Sequence, residues 1–113
     1  MPLGERALRE AWEQLRLVIS DLRAFVETDD YGFVRNASER VRALEREELM
    51  SELSGLRDLV NNVREMDRRV SESNGRLDDI DHGLLVQQAV YSISRANIIS
   101  VGIEFRLKRL KGG

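Results

Sequence analysis

The chain is expected to fold as an all-α antiparallel bundle of three long helices, four if the second breaks near residues 45–48, ending in an amphipathic segment. Three observations carry this expectation. Apolar residues recur at alternating intervals of four and three through most of the 113 residues. The single proline stands at position 2, so no helix-breaking ring interrupts the body. Charged residues make up 34% and hydrophobic ones 42%, a balance of amphipathic helices rather than of a disordered chain.

The first element runs from about Leu3 to Glu27. Leu8, Trp12, Leu15, Ile19, Leu22 and Val26 form a heptad seam, and Ala11, Val18 and Phe25 widen it into a broad apolar face. Trp12 and Phe25 are expected in the core. Glu27 to Asp30 ends the pattern, Asp29 or Asp30 is placed to cap the next helix, and Tyr31 and Phe33 flank Gly32 where they can staple its first turn.

The second element runs from about Phe33 to Ser73. Val34, Ala37, Val41 and Leu44 keep one register; Leu49, Leu53, Leu56, Val60, Val63 and Val70 keep another, with Met66 among the core candidates. Between Leu44 and Leu49 the spacing is five, which marks either a stutter within one helix or a short break. Neither Gly nor Pro sits at the gap, so one continuous helix is expected, supported on its surface by pairs such as Glu65 and Arg69. Gly55 reads as a weak point within it.

Residues 71–83, SESNGRLDDIDHG, form the clearest boundary. Asn74-Gly75 is a helix-ending pair suited to the left-handed conformation, and Asp78 or Asp81 can cap the next helix. This third element carries Leu85, Ala89, Ser92, Ile93 and Ala96 on one stripe, broadened by Val86, Val90 and Tyr91, the last with its hydroxyl at the rim. In architecture alone, three helices of these lengths with a Trp in the first resemble spectrin-like repeats.

Residues 1–97 are read as the bundle domain and 98–113 as a basic tail, either part of that domain or a docking segment. Ile99, Val101, Ile103, Phe105 and Leu107 alternate with small or polar residues, a strand pattern in an otherwise helical chain. The segment is expected either to continue the third helix or to form a β-strand. No second strand is expected in the chain to receive it, so a strand would have to pair with the same segment of another subunit or add to a partner's sheet. The stretch 104–111 carries a net +3, including Arg106, Lys108 and Arg109, and leaves −5 on the rest. Apolar on one side and basic on the other, it is the expected interaction segment.

Composition removes several functions. There is no cysteine, hence no disulfide framework, thiolate metal site or thiol nucleophile. Gly-rich phosphate loops and zinc spacings are absent, and Asp79, Asp81 and Gly83 do not continue as a calcium loop because Val90 stands where the final Glu belongs. No cofactor and no small-molecule substrate is therefore expected. The net charge of −2 and the 5% aromatic content argue against nucleic acid as a partner of the body. Charges run through MPLGERALREAWEQL where a signal peptide would be apolar, so the expected compartment is the cytosol. The terminal Lys111-Gly112-Gly113 looks like the end of ubiquitin-like modifiers, but those are β-rich and this chain is helical.

The reading that results is a non-enzymatic interaction or assembly protein: a structural subunit, adaptor or chaperone that forms homo-oligomers or holds a partner helix through its seams and its tail. Two alternatives stand beside it. Arg76 and His82, with five residues between them, have the Arg-to-His spacing of HEPN-type ribonucleases. That resemblance implies a small helical enzyme with Arg76 and His82 as its catalytic pair and RNA as its substrate; without it, His82 is a residue of the capping loop. The other alternative is a peripheral membrane binder acting through residues 98–111.

Overall fold

The computed structural model describes residues 3–112, leaving Met1, Pro2 and Gly113 outside the described residues, and with Gly113 the end of the di-glycine pattern. The described residues form five helices and no strand: α1 (Glu5–Thr28), α2 (Gly32–Arg42), α3 (Glu47–Glu52), α4 (Leu56–Glu72) and α5 (Asp79–Gly112). Four of them close a ring of contacts, α1 on α2, α2 on α4, α4 on α5 and α5 on α1, with the short α3 packed on α4. Cross-helix pairs run in opposite senses along each neighbouring pair. Trp12 meets Glu104 while Arg16 meets Asn97, and Arg35 meets Asp67 while Arg64 meets Glu45.

The first helix forms where its seam predicts. Leu8, Ala11, Leu15, Val18, Ile19, Leu22 and Phe25 are all buried, while Trp12 is half-buried with its indole N–H donating to Glu104 (3.3 Å). The helix stops at Asp29, whose backbone turns left-handed (φ 60) and donates its N–H to the Phe25 carbonyl. Asp30 Oδ1 then accepts the Gly32 N–H (2.8 Å), an Asx turn that starts α2.

The single long middle helix is corrected to three pieces. Leu44 and Leu49 are both fully or nearly fully buried. Five residues apart on an unbroken helix they would point about 140° away from each other, so one would face water. The chain resolves this by ending α2 at Arg42 and passing through extended backbone at Arg46 (φ −119, ψ 132) before α3 begins. A second interruption follows at Leu53, which is buried in extended backbone, and at Gly55, which adopts φ +87. A β-carbon on Gly55 would also meet Arg95 Cδ at 3.2 Å. Without a side chain the residue tolerates both the left-handed turn and the close neighbour. Of the two expected forms, the structure takes the one with a break near residues 45–48, a ring of four helices, with a short fifth helix in one connection.

After α4 the chain turns left-handed at Asn74 (φ 54) and Gly75 (φ 73), and the Gly75 N–H bonds the Val70 carbonyl (3.0 Å). Of the two capping candidates Asp78 acts: its Oδ1 accepts the Asp81 N–H (2.8 Å) at the start of α5. From there α5 continues for 34 residues, about 51 Å of a molecule whose longest extent is 52 Å. It passes the expected boundary between residues 97 and 98 without a break, and Ile99 and Ile103 join the same core as Leu85 and Ala96.

Candidate interaction surface

Helix α5 is apolar on two sides. Its inner face (Leu85, Ala89, Ser92, Ala96, Ile99, Ser100, Ile103) is buried and rich in small residues, which lets α5 approach its neighbours closely. A polar layer fixes how it seats on α4: the Asn62 amide donates to Ser92 Oγ and to the Gln88 carbonyl (3.2 Å), and the Gln88 side chain returns a bond to Asn62 Oδ1 (3.3 Å). A layer of this kind penalises any shift in register, because Ser92 and the inner atoms of Asn62 would be left without partners.

The outer face should be polar, and it is not. Among the described residues, eight of the nine large hydrophobic side chains that stand exposed belong to α5. Ile80, Leu84, Tyr91, Ile98, Val101 and Phe105 are among them, with Ile98 62% and Phe105 57% exposed. Together with Gln87, Ser94 and Lys108 they fall at intervals of 4, 3, 4, 3, 4, 3, 4 and 3, a heptad seam running the length of the helix toward solvent. Between Gly83 and Ile103 only Arg95 carries a charge. Charge collects at the ends instead, with Asp78, Asp79 and Asp81 at the start and Lys108, Arg109 and Lys111 at the finish.

The residues expected to act together in the tail are thereby divided. Ile99 and Ile103 are buried and Leu107 is half-buried against the core, whereas Val101 and Phe105 face outward. The pairing strand is overturned, because residues 98–112 are helical. Arg106 is engaged inside the chain: its guanidinium donates to the Glu52 carbonyl (2.9 Å) and to Glu52 Oε2 (3.4 Å), so it closes the end of α3. Lys108 and Arg109 are exposed, and Lys108 Nζ stands 5.8 Å from the Phe105 ring centre. Near the middle of the face the Tyr91 hydroxyl donates to Asp58 (2.7 Å), and the Arg95 guanidinium lies 5.4 Å over the Tyr91 ring.

His82 lies where α1, α2 and α5 meet. Its Nε2 is 2.9 Å from Asp29 Oδ1 and its Nδ1 is 2.7 Å from Tyr31 Oη. A carboxylate only accepts, so Nε2 carries a proton, and in the neutral imidazole Nδ1 accepts from the Tyr31 hydroxyl. The ring packs edge-on to both Phe25 and Tyr31, with centroids 5.9 and 5.6 Å away. Burial first, and the Asp29 charge second, hold the Tyr31 phenol above its ordinary pKa. The arrangement ties the α1–α2 turn to the first turn of α5 and occupies both nitrogens of the ring. Arg76 is exposed, and no hydrogen bond joins it to His82 among the described residues. Nor does any group of three or more acidic, His or Cys side chains converge there in a way that could hold a metal ion.

Among the described residues no helix is long and apolar enough to cross a membrane. In comparisons with known proteins, no family model, curated protein or solved structure matches the chain.

Of the outer seam of α5, the sequence pattern marks Val101, Phe105 and Lys108 within the tail but not the positions from Ile80 to Ile98. The seam's signal was present as the heptad spacing from Ile80 to Lys108, but it interleaves with the inner stripe on the same helix.

Proposed function

We propose that the protein is a non-enzymatic assembly protein that works by laying the outer face of α5 against a further copy of the same chain. The observation that carries this reading is the placement of eight of the nine exposed large hydrophobic side chains of the described residues on one helix, six of them at coiled-coil spacing. The monomer gains only part of what these groups can contribute, and covering the half or so of each that stands in water would add about 1 kcal/mol apiece. The inner core is complete without them, so they are available to an interface without any unfolding.

The test is the solution mass of the full chain beside the double variant Ile98→Glu and Phe105→Glu, by light scattering across a concentration series. Both positions are exposed, so the variant keeps its helicity. The reading predicts an assembled species that the substitutions dissolve. A mass that is the same for both proteins at every concentration refutes it.

A further inference from the structure

Resting on that reading, we infer that the occupant of the α5 face is the α5 of a second copy, packed antiparallel about a two-fold axis near residues 92 and 93. Two features of the face point there, and a third shows that its one charge does not oppose the pairing. The first is charge. The N-terminal end carries Asp79 and Asp81, the C-terminal end carries Lys108, Arg109 and Lys111, and all five are exposed. A parallel pair would stack acid on acid and base on base, whereas an antiparallel pair sets each acidic end against the partner's basic end. The helix dipoles act in the same direction, since each negative C-terminal end then lies beside a positive N-terminal end.

The second feature is layer composition. In an antiparallel heptad seam, a and d positions of opposite chains share layers. With the axis between residues 92 and 93, Leu84 meets the partner's Val101, Tyr91 meets the partner's Ser94, and Phe105 meets the partner's Ile80. Each of these three layers sets a larger residue against a smaller one, Gln87 meets the partner's Ile98, and the partner's Arg109 stands about five residues (~7.5 Å) past the level of Asp81 on the same flank, within reach of its long side chain. A parallel in-register pair would instead bury Lys108 against the partner's Lys108 and oppose two Tyr91 rings. The third feature is Arg95, the one charge within the face, which approaches its own symmetry mate near the axis. Its guanidinium is drawn back over the Tyr91 ring toward Asp58 of its own chain (Nε to Oδ2 3.9 Å), away from the seam.

A C₂ pairing of this kind is isologous and closes at two copies, so the expected species is a dimer rather than a filament. The chain has no cysteine, so one introduced by Lys111→Cys takes a single spin label per copy. In the antiparallel dimer two labels at residue 111 lie about 55 Å apart along the helices, and in a parallel dimer under about 25 Å. The expected result is a dimer with the long distance. Its affinity should fall roughly tenfold in Asp81→Arg and recover when Arg109→Asp is added.

A dimer with the short distance, or one that the charge swap does not restore, overturns the antiparallel pairing. The assembly reading survives that result provided that Ile98→Glu and Phe105→Glu still dissolve the dimer. A full chain that stays monomeric at all concentrations, or a dimer indifferent to those two substitutions, overturns both.

Discussion

Ile103 and Phe105 stand two residues apart on α5, and the fold gives them opposite fates. Ile103 is fully buried and Phe105 is 57% exposed. Ile103→Ala removes three carbons from the core, about 2.4 kcal/mol at 0.8 kcal/mol for each. The void left behind adds up to about 2 kcal/mol more where its walls do not collapse, giving a loss of about 2.5–4.5 kcal/mol in total. Phe105→Ala forfeits less than half of what a fully buried Phe contributes, about 1 kcal/mol at most. For a chain of this length the first loss lowers the melting temperature by roughly 10–20 °C and the second by no more than about 5 °C. Urea titrations followed by circular dichroism, at a concentration low enough to hold the chain monomeric, give both values. Midpoints should be compared at unchanged slope, so that the difference reports stability rather than compactness. Equal losses at the two positions would refute the helical placement of the tail, because only a strand puts residues 103 and 105 in equivalent environments within a shared face.

The same structure predicts three further outcomes. Tyr31→Phe, which leaves His82 Nδ1 without its donor (2.7 Å), should cost about 1 kcal/mol near neutral pH. The Tyr31 phenol has a raised pKa in the fold, so its contribution is complete below pH 10 and is lost as the pH rises through the folded value; Tyr31→Phe should flatten that alkaline decline in a melting series. Burial likewise raises the Asp21 carboxyl, against the opposing pull of Arg40. Stability is then lost as the pH rises from the ordinary carboxylate range through the folded value, so Asp21→Asn should raise the urea midpoint at pH 7 and leave it nearly unchanged at pH 3. Finally, His82→Ala should leave the mass of the proposed dimer unchanged; an RNA-cleaving activity present in the parent and absent from this variant would instead place the protein with the ribonucleases.

The alternation that makes Ile99 to Leu107 look like a strand has a physical explanation in the helix. Consecutive odd positions are 200° apart around a helical axis, so they fall on nearly opposite sides. Ile99, Ile103 and Leu107 belong to the inner stripe and Val101 and Phe105 to the outer one. Two helical stripes on opposite faces, each repeating every three or four residues, sum to an apparent period of two. Sequence pattern alone cannot divide such a sum, because either stripe is incomplete once the other's members are assigned to it. The same interference leaves α5 as a whole without one preferred apolar side, in contrast to α1, whose broad apolar face was legible although its buried centre runs through Ala11, Val18 and Phe25 and leaves Trp12 and Val26 half-buried at the edge. The middle of the chain was obscured for a different reason. Its register shift between Leu44 and Leu49 was visible, but a stutter and a break leave the same spacing, and what decides between them is whether both leucines reach one core. That is a tertiary fact, which neither residue carries by itself.

A helix that is apolar on both faces also says something about how the chain is used. Within the bundle, α5 touches α1 and α4 through a narrow strip of small residues, Ala89, Ser92, Ala96 and Ser100, flanked by Leu85, Ile99 and Ile103. Folding needs that strip alone. Nothing in folding requires Ile80, Leu84, Ile98, Val101 and Phe105 at heptad spacing on the other side, and exposing them works against solubility. The polar layer of Asn62, Gln88 and Ser92 adds a further constraint, since it holds α5 at one rotation about its own axis and so aims the outer seam in one direction. A face that is fixed in orientation by its own core, free of charge along most of its middle and oppositely charged at its two ends has the properties required of one half of a two-fold interface. Disturbing the aim without touching the face is therefore the sharpest probe of this coupling. Asn62→Leu leaves the outer seam chemically intact but removes the bonds to Ser92 and Gln88 that set the rotation of α5. It should weaken the dimer at least severalfold while the helical content stays unchanged, as read by sedimentation and circular dichroism on the same samples. A dimer of undiminished affinity in that variant would show that the seam finds its partner without being aimed, and would separate the polar layer from any part in assembly.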